Sequence, residues 1–149
     1  MMPLTPKEAS LLKDLRTQEQ LCVEKYNKYA AQACDGQLQT LFTQIAQKEA
    51  THQQTIEGLE QGVLPSMGGA EAPVNTGFTR SCCIPEQKKQ DQYLCQDALA
   101  TEKHVSSAYD TCIFEFRDSA VRDALNHIQK EEQQHGEYIY QYMAQNGMY

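Results

Sequence analysis

Residues 41–56 read LFTQIAQKEATHQQTI, and residues 124–139 read ALNHIQKEEQQHGEYI. A shift of 83 residues puts Ile45 on Ile128, Glu49 on Glu132, His52 on His135 and Ile56 on Ile139. Both stretches carry Glu-x-x-His, which sets a carboxylate and an imidazole one turn apart on the same helix face. The flanking apolar residues recur every three to four positions, the period of an amphipathic helix. Ionisable groups therefore sit in the middle of apolar stripes. An unpaired charge there is strongly unfavourable, so each needs a partner.

Working outward, the same shift puts Asp14 on Asp97, Glu19 on Glu102 and Tyr26 on Tyr109. Proline and glycine divide the chain into blocks at Thr5–Cys34, Gln37–Gln61, Glu86–Phe116 and Ala120–Asn146. Thr5 followed by Pro6 reads as a cap with proline at the first helical position, and Asp35-Gly36 reads as a turn. The first stripe is Leu12, Leu15, Glu19, Cys22, Tyr26, Ala30 and Ala33; the second is Leu38, Leu41, Phe42, Ile45, Glu49, His52, Ile56 and Leu59. The third runs Leu94, Ala98, Glu102, Val105, Tyr109, Cys112 and Phe116. The fourth runs Val121, Leu125, Ile128, Glu132, His135, Ile139 and Met143. All four blocks predict helices, polar in mid-stripe and apolar at both ends.

Short turns near Asp35 and Asp118 make two antiparallel hairpins, residues 5–61 and 86–146. Between them lies a Gly/Pro-rich crossover, residues 62–85. Extended, it reaches up to ~80 Å, against ~42 Å for a helix of about 28 residues, so it can run the length of a bundle. The expected fold is all-α: one ferritin-like four-helix bundle over residues 1–149, built from one hairpin unit used twice. Glu19 and His52 are equidistant from the first turn, and Glu102 and His135 from the second. In each hairpin the first helix thus sets a glutamate across from the second helix's histidine.

That arrangement points to a dinuclear metal centre, the alternative being a structural protein with a remnant of such a site. The expected ligands are Glu19, Glu49, His52, Glu102, Glu132 and His135, the set used by di-iron and di-manganese carboxylate bundles. Four carboxylates cancel the charge of two divalent ions, and one imidazole completes each ion while leaving a position open. Such ligands suit Fe first and Mn second. Tyr26 and Tyr109, two turns beyond Glu19 and Glu102, could donate hydroxyls to ligand carboxylates. Glu131, beside the expected ligand Glu132, could orient a histidine but reads first as solvated; His104 and His127, off the stripes, read as surface residues.

Composition narrows the class further. The 149 residues carry 13 Lys+Arg against 20 Asp+Glu, a formal charge of −7. An acidic chain of this kind argues against a nucleic-acid binder or an anionic-membrane protein. There is no run of 18 apolar residues and no apolar core to the N-terminal stretch, so neither a spanning helix nor a signal peptide is expected, and synthesis in the cytoplasm is. Without a secretory signal the six cysteines are expected as reduced thiols, and the lack of a Cys-x-x-Cys pair excludes a rubredoxin-type iron site and a thioredoxin motif. Cys22, Cys95 and Cys112 read as core residues. Cys82 and Cys83 lie in the crossover, where they could cross-link to other chains.

The stretches EFRDSAVRDALNHIQKEEQQHGEYIYQYMAQNGMY and LTPKEASLLKDLRTQEQLCVEKYNKYA resemble the Coat F family of spore coat proteins, the tail HGEYIYQYMAQNGMY most of all. The likeness spans nearly the whole chain outside the crossover. It implies a ferritin-like fold, a place in or around the spore coat, and other coat proteins or further copies as partners. The six-ligand pattern is also similar to rubrerythrin, which implies a di-iron site meeting O2 or peroxide. In that pattern a further glutamate follows the third helix's ligand by one turn; here the position is Val105, and no rubredoxin domain accompanies the bundle.

Overall fold

Thr5 and Glu8 start the first helix by capping each other. The Thr5 hydroxyl accepts from the Glu8 N–H at 3.1 Å, and the Glu8 carboxylate accepts from the Thr5 N–H at 2.8 Å. A computed structural model describes residues 1–66 and 73–149 of the chain. Its four helices are α1 (Pro6–Gln32), α2 (Gly36–Glu60), α3 (Pro85–Ile113) and α4 (Ser119–Gln145). Among the described residues there is no strand. Asp35 caps α2 through the Gln37 N–H, and Asp118 caps α4 through the Ala120 N–H, each at 2.9 Å. The two caps are themselves 83 residues apart, so the repeat extends to the turns. At the other ends of α2 and α4, Gly62 and Gly147 take φ of +79° and +67°, backbone that a side chain disfavours.

The helices form a four-helix bundle in which α1 packs mainly on α2 and α3 mainly on α4. Arg16 in α1 pairs with Glu60 at the end of α2 at 2.9 Å, whereas Ala33 accepts from Gln39 at the start of α2 at 2.7 Å. Tyr26 and Tyr109 join α1 to α3, and the two histidines join α2 to α4. Every residue of the four expected stripes is buried except Ala30, which is half-buried.

The apolar core is in two parts. One cluster gathers Tyr26, Leu38, Phe42, Ile45, Leu94 and Ile139; the other gathers Leu12, Leu15, Ile56, Val105, Leu125 and Ile128. Between them lies the layer of glutamates and histidines. Each large apolar side chain so buried contributes about 1.5–3 kcal/mol, and that gain offsets the cost of the polar layer.

The crossover is expected over residues 62–85, of which 67–72 lie outside the described residues. Its later part follows the protein surface. The Thr79 backbone and the Gln37 side chain exchange two hydrogen bonds, and the Ser81 N–H reaches Asn146 at 2.8 Å. Phe78 sets its edge against Tyr142, with ring centres 5.4 Å apart. Among the described residues, no helix is long and apolar enough to cross a membrane.

Candidate metal centre

Helical spacing aims one acidic side chain from α1, one from α3, and an acid and a histidine from each of α2 and α4 at the same level of the bundle. Glu19, Glu49, His52, Glu102, Glu132 and His135 are all buried there. They form two groups. In the first, ligand atoms of Glu19, Glu49, His52 and Glu132 all lie within 4.8 Å of one another; in the second, those of Glu49, Glu102, Glu132 and His135 do. Glu49 and Glu132 belong to both. The remaining four residues divide evenly, one glutamate and one histidine to each group.

Both histidines turn Nδ1 inward. His52 Nδ1 lies 3.0 Å from Glu132 Oε1 and 3.3 Å from Glu49 Oε2, and His135 Nδ1 lies 3.0 Å from Glu49 Oε1. Each helix-α2 ligand thus meets a helix-α4 ligand, and the rings stack with centres 5.9 Å apart. Burial alone would lower the pKa of His52. Contacts with Glu131, Glu132, Glu19 and Glu49 outweigh it and hold the imidazole well above its ordinary 6.5. His135 is raised in the same way, against burial, by Glu102, Glu132 and Glu49. Burial and the neighbouring Glu132 push the Glu102 carboxyl up. Without a metal, protons hold this layer together.

The donor set fits a pair of divalent cations on a structural observation. Among the described residues, Glu19 Oε2, Glu102 Oε2 and Glu132 Oε2 are buried with no hydrogen-bond partner. A buried carboxylate oxygen without a donor is costly, and a bound cation would remove that cost. Carboxylate oxygens with imidazole nitrogen match the preferences of Fe and Mn.

The tyrosines cross between hairpins. The Tyr26 hydroxyl of α1 donates to Glu102 of α3, and the Tyr109 hydroxyl of α3 donates to Glu19 of α1, each at 2.5 Å. Burial first, then the adjacent carboxylates, raise both phenols well above their ordinary pKa, so both remain neutral donors. The sequence places these tyrosines on the ligand face but leaves open which carboxylate each meets.

Glu131 takes the histidine-facing place, the second of its two readings, rather than the solvated one. It is buried rather than solvated, its Oε1 lies 3.3 Å from His52 Nε2, and Lys48 pairs with its Oε2 at 3.0 Å. His127, exposed as expected, sits 3.0 Å from the same Oε1. Cys22 is buried one turn past Glu19, where burial and the surrounding glutamates push its thiol far up in pKa; it is no ready nucleophile. Cys95 and Cys112 are buried as expected, Cys82 is exposed, Cys83 is half-buried, and all six thiols are free.

No curated protein and no solved structure matches the chain. A family model does, over α4 and all of α3 but its first turn, rather than over both hairpins as the sequence resemblance suggests. What this part of the chain is similar to is the Coat F domain, matched by residues 90–149.

Proposed function

We propose that the protein is a ferritin-like spore coat component that holds a dinuclear Fe or Mn centre and presents it to O2 or peroxide. One domain over residues 1–149, two antiparallel hairpins joined by the crossover, would carry it. The observation that supports this reading is the pair of buried four-residue groups sharing Glu49 and Glu132. Glu19 and His52 would serve one ion alone, and Glu102 and His135 the other. The Coat F likeness of residues 90–149 supports the place in the coat.

Bound Fe or Mn would supply redox change and open coordination positions, chemistry that no side chain here provides. The chain supplies binding, orientation and shielding. Tyr26 and Tyr109 each hold one oxygen of a glutamate, fixing the direction of the other oxygen. His52 and His135 must release a proton from Nδ1 before that nitrogen can ligate. The two apolar clusters keep bulk water from both ends of the layer.

Val105 favours a second reading, a structural coat protein whose centre binds metal without turnover. Where the rubrerythrin pattern has a further carboxylate, this chain buries a valine in the apolar cluster. One pair of measurements separates the readings. Protein isolated without chelator should contain about two equivalents of Fe or Mn, lost when Glu49→Ala and Glu132→Ala are combined. Anaerobic Fe(II)-loaded protein should then oxidise faster than free Fe(II) on adding O2 or peroxide. Metal without faster oxidation would favour the structural reading, and absence of metal would overturn the centre.

A further inference from the structure

The shift that lays Glu49 on Glu132 lays Lys48 on Glu131, and there the internal symmetry fails. The Glu131 carboxylate faces the outer nitrogen of His52, with 3.3 Å between Oε1 and Nε2, while Nδ1 of the same ring faces the shared Glu132. Lys48 reaches across from α2 and meets Glu131 Oε2 at 3.0 Å, giving this buried carboxylate a charge partner. Side-chain exposure rises outward along this chain of contacts, from 1% at His52 to 7% at Glu131 and 25% at Lys48. His127, at 48%, completes it at the surface. The residue that the repeat matches to Glu131 is this lysine, Lys48. An ammonium has only donors and cannot accept from His135 Nε2–H.

We propose that Glu131 is a positioning residue that makes the two metal positions unequal, so that the one formed with Glu19 and His52 fills first and binds more tightly. The inference rests on the dinuclear centre proposed above. An imidazole whose Nε2–H is held by a carboxylate keeps its lone pair on Nδ1, has its ring plane fixed, and is a more basic ligand. His52 has that partner. The repeat gives His135 no acceptor at the corresponding position. Loss of such a partner lowers metal affinity roughly 10- to 100-fold.

The test is an anaerobic titration of the metal-free full chain with Co(II), followed through its ligand-field absorbance. The native protein should take two equivalents in two resolved steps. Glu131→Gln should weaken the first step 10- to 100-fold, leave the second nearly unchanged, and so bring the two together. Two equal steps in the native protein, or an unaltered first step in Glu131→Gln, would overturn the inference while leaving the metal centre standing. No Co(II) uptake by the native protein would overturn the centre itself. Should Glu131→Gln fail to fold, proton NMR of the native Co(II) protein serves instead. The imidazole N–H of His52 should exchange with water more slowly than that of His135, and equal rates would overturn the proposal.

Discussion

Two phenols decide the direction of two carboxylates. Each of Glu19 and Glu102 has one oxygen bound by a tyrosine of the opposite hairpin and the other without a donor among the described residues. Tyr26→Phe keeps the ring against Phe42, 5.8 Å between centres, but strips Glu102 Oε1 of its donor inside the core. Leaving a buried acceptor unsatisfied costs about 1–3 kcal/mol. The variant should therefore melt lower without metal. Its metal affinity should fall roughly 10- to 100-fold, since the carboxylate is no longer oriented. Melting curves and a Mn(II) titration of Tyr26→Phe beside native protein test both halves. An unchanged affinity would mean that Glu102 is oriented by something other than the hydroxyl.

At the scale of helices and turns, the repeat does more than align ligands. Glu8 at the start of α1 accepts from the Arg117 N–H at 3.0 Å, in the turn before α4. Asp91, 83 residues later at the start of α3, accepts from the Cys34 and Asp35 N–H groups, in the turn before α2, at 2.8 and 3.0 Å. The start of α1 thus clamps the turn before α4, and the start of α3 the turn before α2. The Arg117 side chain holds Glu8 down to about pKa 2 from 4.5, against its burial and with help from the Thr5 and Arg117 N–H groups. A carboxyl lowered on folding stabilises the protein above its unfolded pKa, and that stability is lost as pH falls through 4.5 toward 2. Glu8→Gln should cost about 1–3 kcal/mol at neutral pH, and its deficit should close by about pH 2. Urea melts across that range test it; a constant deficit would place the effect in packing instead. The four helices were legible in the proline and glycine blocks and their buried stripes in the apolar period, and the shared level of the buried glutamates and histidines in the 83-residue repeat of Glu49, His52, Glu132 and His135. Glu8 and Asp91 were not, because an acid in the first two turns of a helix reads equally well as a solvated end. Glu131 was legible only as the second of two readings, orienting a histidine rather than solvated. It points about 100° away from Glu132 around α4, where His52 and Lys48 approach it from α2. The spacing along one helix does not contain that approach.

For the whole molecule, the proposed centre sets protons and metal ions in competition for one layer. His52 and His135 hold protons well above their ordinary 6.5, and Glu102 above its ordinary 4.5. A group whose pKa rises on folding stabilises the protein fully below its unfolded value and loses that contribution as pH climbs through the folded value. The metal-free bundle should therefore weaken as pH rises above 6.5. Divalent cations bound in the proposed centre would replace those protons, so affinity should strengthen over the same range. Stabilisation by a ligand follows its concentration over its dissociation constant, about 2.7 kcal/mol at a hundredfold excess over that constant. The gap between Mn(II)-loaded and metal-free melting midpoints should accordingly be small near about pH 6 and widen steadily toward about pH 8.5. Thermal melts at fixed Mn(II) across that interval measure it. A gap that stays constant would show that metal binding displaces no protons from His52, His135 or Glu102. A gap of zero throughout would show that the polar layer is held by its protons alone.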